Sequence, residues 1–336
     1  MRPKRAYGPR RILVFMAVFA GLAAVAGAGL AFGPGPSARI GQSTRVVLPP
    51  HSGLPAIAAS LGAAGVIRWP IAFMAAAEVS GSAHSLKAGE YNFPARTSLA
   101  RVLMAIRSGA IVRHFVTIPE GLTSAQAAAI LNAAPELIGA APVAAEGSLL
   151  PETYQVSFGE TRAHVVERMQ AARNTLIQAL WPKRAAGLPY GSPEDAVTLA
   201  SIVEKETALP GERPHVAAVY LNRIRAGMRL DSDPTVVYGL TGGAPLGHGL
   251  RVSELARETP YNTYATAGLP PTPIANPGRA ALEAVFQPSQ SDDLYFVANG
   301  TGGHSFSSTL AAHLKNVARW RSIERSQIET GRGGGG

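Results

Sequence analysis

The stretch from residue 192 to 239 constrains the fold most strongly, because it combines helix start and stop signals with apolar residues and ionisable groups. Ser192 is followed by Pro193 and, three positions after the serine, by Asp195, which is the pattern of an N-cap, a first-turn proline and a capping box. Residues 196–207 favour helix, and Pro210-Gly211 ends it. The sequence therefore predicts one helix of about three turns.

Two glutamates, Glu204 and Glu206, lie near the end of this helix, where the helix dipole disfavours negative charge. At 100° per residue their side chains point roughly 200° apart, so a single cleft can use only one of them. A carboxyl group on an apolar helix face is partly desolvated, which raises its pKa toward the range that a general acid needs. The same Glu-Lys-Glu pattern is also typical of a solvated helix end.

Four blocks follow one another in order: SIVEKET at 201–207, VYLNRIRAGMRLDSDPTVVYG at 219–239, TPYNTYATAGLPPTPIANPG at 259–278 and DLYFVANGTGGHSFSST at 293–309. Together they resemble the signature blocks of the YceG-like family, the endolytic murein transglycosylases. The resemblance extends from about residue 46 to residue 320. Four long blocks in the same order are far more specific than any short motif.

This resemblance implies an enzyme that cleaves the bond between N-acetylmuramic acid and N-acetylglucosamine in nascent peptidoglycan strands. The product carries a 1,6-anhydro end, and the cut terminates glycan elongation. One carboxylic acid serves as acid and then base, and no metal or organic cofactor is required. The match to SIVEKE assigns this role to Glu204, although helix geometry alone does not choose it over Glu206. The substrate-binding residues implied by the resemblance are Glu146, Asn222, Asp233, Tyr261, Asn262, Tyr264 and His304.

Several of these residues also have a purely structural interpretation. Asp233 precedes Pro234 and can be explained as a helix N-cap. Glu146 can be a loop acid that accepts backbone N–H groups. His304 has no second histidine at metal-ligand spacing, so we expect it to bind a hydroxyl group or to support the fold.

The chain departs from the family pattern at a few positions. The segment at 145–154, AEGSLLPETY, differs from the usual LEGYLFPDTY, and Ser148 stands where relatives have a tyrosine. Thr272 replaces a glycine, and we expect it to narrow the turn. Asp231 replaces the glutamine of LQSDPT, and its charge is expected to raise the pKa of a neighbouring carboxyl group.

The amino terminus predicts a membrane anchor. Five basic residues lie within positions 1–11, and positions 12–32 carry no charge over 21 residues, enough to span the hydrocarbon core as a helix. A cleaved signal peptide is the competing interpretation, but the apolar run is longer than its usual core. The charge step predicts a cytoplasmic N-terminus, an inner-membrane location and a periplasmic body. Residues 33–45 form a predicted linker.

We predict an α+β fold with two folded domains after the anchor. Residues 46–113 show short strand and helix patterns that resemble a LysM-like domain, which implies glycan binding; a spacer domain is the alternative. Residues 114–326 form the predicted larger catalytic domain, with a strand, a glycine-rich turn and a return strand around His304. The glycine-rich tail at 327–336 is predicted to be disordered.

Other function classes lose support from composition and motifs. The chain has no cysteine, which excludes disulfides and thiol chemistry. Its net charge is +9, but five positive charges lie in the amino-terminal flank, so we expect no nucleic-acid partner. Nucleotide-binding, serine-hydrolase and zinc-protease motifs are missing.

Two alternatives to the transglycosylase interpretation stay open. One is a non-catalytic scaffold that binds peptidoglycan. The other is an aminodeoxychorismate lyase with pyridoxal phosphate on Lys205, a reaction that needs a lysine and a phosphate site. The expected partners are glycan strands and the membrane, with peptidoglycan synthases as candidates by resemblance.

Overall fold

The computed structural model describes residues 9–36 and 41–332. The predicted basic flank up to residue 8, the centre of the linker at 37–40 and the last four glycines at 333–336 lie outside the described residues. The fold is mixed α+β, as the sequence predicts, and its strands form three separate two-stranded sheets in the described chain. Contacts divide the chain into two compact units.

The amino-terminal unit contains residues up to His114 together with Gln155–Glu160. The carboxy-terminal unit contains Phe115–Tyr154 and Thr161 onward. In chain order the elements are α1 (Pro9–Phe32), β1 (Thr44–Leu48), α2 (Leu54–Ala63), α3 (Pro70–Val79), β2 (Gly89–Phe93), α4 (Leu99–Ser108), β3 (His114–Thr117), α5 (Ser124–Ala133), β4 (Thr153–Val156), α6 (Arg162–Leu180), a 3₁₀ turn (Trp181–Lys183), α7 (Pro193–Glu206), α8 (Arg213–Arg225), α9 (Asp233–Thr241), α10 (Val252–Leu255), α11 (Arg279–Phe286), β5 (Tyr295–Ala298), β6 (His304–Ser307) and α12 (Leu310–Arg332).

Helix α1 covers the segment for which the sequence predicts a membrane anchor. Among the described residues, no helix of the structure is both long enough and apolar enough to cross a membrane. The single-pass anchor predicted over residues 12–32 thus gains no support from the structure.

The amino-terminal unit builds its core around an antiparallel pair of strands. Strand β1 pairs with β2, so that Val46 lies opposite Tyr91. The buried faces of these strands pack with α2, α3 and α4 through residues such as Leu61, Phe73 and Ile106, all completely buried. Helix α4 begins after Ser98, a typical N-cap residue whose hydroxyl accepts the N–H of Arg101.

Helix α7 lies at the centre of the carboxy-terminal unit. Residues 196–203 are buried on every side, since small and apolar residues follow one another there without a charged residue. Helices α8 and α11 pack against it, and Leu199, Val216 and Leu282 belong to one hydrophobic core. The predicted start is confirmed, because Ser192 and Asp195 form a capping box. The central helix therefore carries both glutamates at its end.

The proline-rich loop at 268–277 is fixed on α7 by polar contacts. The backbone N–H of Ile274 donates to the Ser201 hydroxyl at 3.0 Å. Asn276 is buried, donates to the carbonyl of Leu122 and accepts the N–H of Leu149 at 3.0 Å. At Gly147 the backbone has φ of 73°, and a Cβ there would overlap Pro273. The loop is thus rigidly held, as its prolines lead us to expect.

Three helix boundaries differ from those that the sequence predicts. Helix α9 has Ser232 as its N-cap, so Asp233 is its first residue and not its cap. Asn276 precedes Pro277, a pattern typical of a helix N-cap, yet helix α11 has Gly278 as its N-cap, because the side chain of Asn276 forms the loop contacts described above. Helix α12 continues to Arg332, so residues 327–332 of the tail that the sequence predicts to be disordered are helical.

Candidate active site

Glu204 is held in an ion pair inside the carboxy-terminal unit. Its Oε1 accepts a hydrogen bond from Arg213 Nη2 at 3.0 Å, and its Oε2 accepts the backbone N–H of Gly278 at 2.9 Å. Only 4% of the Glu204 side chain and 8% of the Arg213 side chain are exposed. The two carboxylate oxygens therefore connect the end of α7 to the beginnings of α8 and α11. A guanidinium is the natural partner of a carboxylate anion.

Glu206 faces a different environment. Its Oε1 accepts hydrogen bonds from the Tyr220 hydroxyl at 2.7 Å and from the Ser232 hydroxyl at 2.5 Å. Both donors are neutral and both come from elements that follow α7, namely α8 and the cap of α9. The two glutamates thus point to separate partner sets, which confirms the divergence that the helix geometry predicts.

Burial raises the pKa of Glu206 above its ordinary value. The hydrogen bonds from Ser232 and Tyr220 lower that pKa in part, because they favour the carboxylate, whereas the negative charge of Asp233 raises it again. The net direction is upward. An upward shift is the direction that a general acid requires.

A pocket of about 310 Å³ opens at Glu206. The glycine-rich turn between β5 and β6 supplies one side of it through Gly300, Gly302 and Gly303, and the first residue after that turn, His304, also lines it. Trp320 of α12 completes the lining, and an indole is a surface on which the apolar face of a sugar can stack.

His304 is fixed by Glu212, which immediately precedes α8. Glu212 Oε2 is 2.7 Å from His304 Nδ1, and Glu212 Oε1 accepts the backbone N–H of His304 at 2.8 Å. His304 is therefore both a pocket residue and part of a carboxylate–imidazole pair, and its binding of a hydroxyl group stays a prediction.

Asp233 lies near Glu206 and is bonded to Tyr264. The Tyr264 hydroxyl donates to Asp233 Oδ1 at 2.6 Å. Burial, and then the bond to Asp233, raise the pKa of Tyr264 far above its ordinary value, so its proton stays in this bond. Asp233 also lines a second pocket of about 460 Å³, together with Lys205, Tyr238 and the loop at 243–246.

Glu146 is hydrogen-bonded to Tyr238, one of the residues that line the second pocket. Its Oε1 accepts the backbone N–H of Ser124 at 2.8 Å, and its Oε2 accepts the hydroxyl of Tyr238 at 3.3 Å. Burial raises the pKa of Glu146, and the hydrogen bonds from Ser124 and Tyr238 lower it in part. The contact with Ser124 is the backbone N–H bond that the structural interpretation of Glu146 predicts.

Tyr261 packs against Tyr238, which lines the second pocket. Its ring packs against Tyr238 with centroids 4.8 Å apart, and its hydroxyl lies 2.8 Å from the hydroxyl of Thr272. The threonine that replaces the family's glycine thus fixes the tyrosine in place, an effect that the sequence does not reveal.

Two of the predicted sugar-binding residues have structural roles instead. Asn262 is 0% exposed, and its amide donates to the carbonyls of Leu255 and Arg257. Asn222 donates to the carbonyls of Ser291 and Asp293 at 2.7 and 3.0 Å. Neither Asn222 nor Asn262 is among the residues that line the two pockets.

Asp231, which replaces the family's glutamine, forms an ion pair with Arg223. Its Oδ2 lies 3.1 Å from Arg223 Nη1, and its backbone has φ of 51°. Asp231 contributes to the raised pKa of Tyr264, but it is not among the groups that shift the pKa of Glu206. The expected influence on a neighbouring carboxyl group is therefore not seen at Glu206.

Four residues of the site were missed at the level of sequence: Tyr220, Ser232, Arg213 and Glu212. Two of them, Tyr220 and Ser232, lie within the block at 219–239, yet their polarity looks ordinary for a helix or a cap. Arg213 could have been suspected, because an arginine beside a proline at the start of a helix is placed against the dipole and needs a negative partner.

Within residues 9–36 and 41–332, no three His, Cys, Asp or Glu side chains are grouped closely enough to hold a metal ion. The ammonium of Lys205, the candidate for a pyridoxal phosphate linkage, donates to the carbonyl of Gly121 at 3.2 Å.

Comparison with known proteins agrees with these blocks and this fold. A Bacillus subtilis protein named endolytic murein transglycosylase is 33% identical over 54% of the chain and 49% of its own length. A Streptococcus pneumoniae protein of the same name is 27% identical over 81% of the chain and 57% of its own length. The chain thus spans about half the length of these relatives.

The fold is also similar to a solved structure. A crystal structure of a YceG-like protein from Listeria monocytogenes matches with a TM-score of 0.51 and 28% identity, covering 82% of this chain and 98% of that one. The sequence model of the YceG-like family matches residues 46–319, which is most of the 336-residue chain. The chain belongs to the YceG-like family.

Proposed function

We propose that this protein is an endolytic murein transglycosylase, that is, a lyase that cuts peptidoglycan glycan strands between N-acetylmuramic acid and N-acetylglucosamine. The observation that carries the proposal is the carboxyl group of Glu206, which combines burial, a raised pKa and a pocket wide enough for a sugar. The names of the two relatives support the same substrate class.

Glu206 is the residue to which we assign the chemistry. Tyr220 and Ser232 both donate to Oε1, which leaves Oε2 as the oxygen that can carry a transferable proton. Glu204, to which the sequence assigns the role, has both oxygens bound, one of them to a guanidinium. The geometry therefore favours Glu206, and the assignment of Glu204 becomes the alternative to be tested.

In the proposed reaction, protonated Glu206 gives its proton to the oxygen that bridges the two sugars. The bond from this oxygen to C1 of the muramoyl residue breaks, and the N-acetylglucosamine end leaves as an alcohol. The Glu206 carboxylate then takes the proton of the muramoyl 6-hydroxyl, whose oxygen bonds to C1 and closes the 1,6-anhydro ring. One proton leaves and returns, no water is consumed, and Glu206 ends protonated.

The remaining predicted residues take supporting roles in this proposal. Asp233 raises the pKa of Glu206 through its charge and is held by Tyr264. Tyr238 lines the second pocket, Tyr261 packs against Tyr238, and Glu146 accepts the hydroxyl of Tyr238. A glycan strand bound at the end of α7 would contact Asp233 and Lys205 in the second pocket and His304 in the pocket at Glu206.

Product analysis tests the function directly. We expect purified protein, incubated with peptidoglycan or uncrosslinked glycan strands, to release fragments with 1,6-anhydromuramoyl ends, which weigh one water less than hydrolysis products in mass spectrometry. Binding without new ends would support the scaffold alternative. Reducing ends would indicate a hydrolase instead. An absorbance spectrum of the purified protein tests the pyridoxal phosphate alternative.

Two further proposals concern parts of the chain outside this site. We propose that the amino-terminal unit is a LysM-like, glycan-binding module, supported by the β1–β2 pair packed with three helices. A membrane anchor at residues 12–32 is proposed from the sequence alone. The inner-membrane location and the synthase partners likewise have no support beyond the sequence. Protease added to spheroplasts should digest the body of an anchored, periplasmic protein.

A further inference from the structure

We propose that Glu212 is a positioning residue that fixes the tautomer of His304, so that His304 Nε2 accepts a hydrogen bond from a sugar hydroxyl next to the bond that Glu206 protonates. This inference rests on the proposed function, since it concerns the same pocket. It adds a second substrate-contacting group and the residue that orients it.

The tautomer follows from the chemistry of the contact. A carboxylate can only accept hydrogen bonds, so the nitrogen 2.7 Å from Glu212 Oε2, His304 Nδ1, must carry a proton. Burial acts to raise the pKa of Glu212, but the hydrogen bonds from His304 and Thr207 outweigh burial and lower it. Glu212 is therefore an anion at neutral pH, and in the neutral imidazole the lone pair is left on Nε2.

The His304 ring lies at the pocket that we propose as the substrate site. His304 lines the pocket of about 310 Å³ that it shares with Glu206. Among the described residues, the ring nitrogen that forms a hydrogen bond with the protein is Nδ1. Phe296 meets the imidazole at nearly a right angle with centroids 5.2 Å apart, which limits rotation of the ring. An acceptor in a sugar pocket matches the hydroxyl groups that a glycan offers.

Glu212 also couples the two sides of the pocket. Its Oε2 accepts a hydrogen bond from the Thr207 hydroxyl at 3.3 Å, and Thr207 directly follows Glu206. Its Oε1 accepts the N–H of His304 at the end of the glycine-rich turn. A Cβ at position 303 would lie 2.5 Å from Glu212 Oε1, so glycine is needed for this approach. One carboxylate thus sets the spacing between the acid and the histidine.

The decisive variant is Glu212→Gln, which keeps the shape but replaces one acceptor oxygen by an NH₂ donor. The amide can then donate to Nδ1, which moves the ring proton to Nε2 and turns the acceptor into a donor. We expect kcat/KM for anhydro-product release to fall about tenfold to a hundredfold, the usual loss when an orienting partner is removed. Glu212→Asp keeps a carboxylate and should retain the tautomer and part of the activity.

Glu167→Gln is the matched control, because Glu167 faces His164 at 3.5 Å on the exposed surface of α6. This variant also removes a carboxylate from a histidine, but it lies outside the pocket lining. We expect its turnover and the His304 signals to equal those of the wild type.

Nitrogen-15 spectra of the histidine rings give a readout that is independent of activity. We expect the Nδ1–H form of His304 in the wild type and the Nε2–H form in Glu212→Gln. A wild type in the Nε2–H form would overturn the inference without any variant. Glu212→Gln with a changed tautomer and unchanged kcat/KM would overturn it as well.

Failure of the proposed function looks different. In that case the wild type itself forms no anhydro ends, whatever the tautomer. The affinity for glycan fragments then replaces turnover as the readout, and the inference requires that Glu212→Gln weaken this affinity while Glu167→Gln does not. Equal affinities in all three proteins would refute it.

Discussion

At the scale of single residues, two glutamates that point to opposite sides of one helix have different environments. Glu206→Gln keeps the acceptor for Tyr220 and Ser232 but removes the transferable proton, so we expect turnover to fall by about 10²–10⁴-fold with the fold intact. Glu204→Gln weakens the contact with Arg213 and should lower the free energy of unfolding by about 1–3 kcal/mol while the folded protein still turns over. Product release and thermal unfolding measure the two effects.

The reverse outcome would restore the assignment that the SIVEKE block suggests. If Glu204→Gln abolishes turnover in a folded protein and Glu206→Gln does not, Glu204 is the acid. Equal loss in both folded variants would mean that the reaction needs the whole end of α7.

The pH dependence gives a second prediction at this scale. Protonated Glu206 starts the reaction, so activity should fall as pH rises through its raised pKa. The Tyr220 hydroxyl lowers that pKa in part, and Tyr220→Phe should therefore raise it and move the alkaline limb of the kcat profile to higher pH. Tyr190→Phe is the control, because its hydroxyl donates to the carbonyl of Val285. A limb that moves to lower pH, or moves equally in both variants, would contradict this role of Tyr220.

The sequence could not choose between the glutamates for a physical reason. Helix geometry gives the angle between two side chains, but not which elements lie in the two directions. The partners that decide the matter, Arg213, Tyr220 and Ser232, come from α8 and the cap of α9, and their contacts depend on tertiary packing. The same limit applies to Asn262, whose polar side chain proves to be fully buried.

At the scale of elements, N-cap residues in the sequence indicate where helices begin when the capping side chain has no other partner. Ser98 and Ser192 both accept the N–H that the sequence pattern requires. Asn276 does not cap its helix, because its side chain forms hydrogen bonds with the backbone of Leu122 and Leu149 instead. A cap is thus predictable from sequence until a distant segment competes for the same side chain.

Helix α7 offers a test of this view. Ser192→Ala removes the side-chain acceptor for the N–H of Asp195 and should cost about 1 kcal/mol of stability. Because this cap lies at the opposite end of α7 from Glu206, kcat at a temperature well below unfolding should stay at the wild-type level. Denaturant unfolding and product release together check it. A large loss of kcat without loss of stability would show that the cap reaches the active site.

At the scale of the whole molecule, each of the two units encloses its own hydrophobic core. Leu61 and Phe73 belong to the core of the amino-terminal unit, and Leu199 and Leu282 belong to that of the carboxy-terminal unit. The change from short strand–helix patterns to the four long blocks anticipates this division. The sequence does not reveal, however, that Gln155–Glu160 belongs to the amino-terminal unit, since that grouping depends on long-range contacts.

Two separate cores predict two unfolding transitions in calorimetry, because chains with more than one domain depart from two-state behaviour. Leu61→Ala and Leu282→Ala each remove a side chain that is at most 1% exposed, and each should cost about 2–5 kcal/mol in its own unit. We expect Leu61→Ala to lower the midpoint of one transition and Leu282→Ala that of the other. Anhydro-product release, measured below both midpoints, should survive in both variants, since neither residue lines a pocket at the end of α7. A single transition that both substitutions lower by the same amount would show that the two cores unfold as one cooperative body.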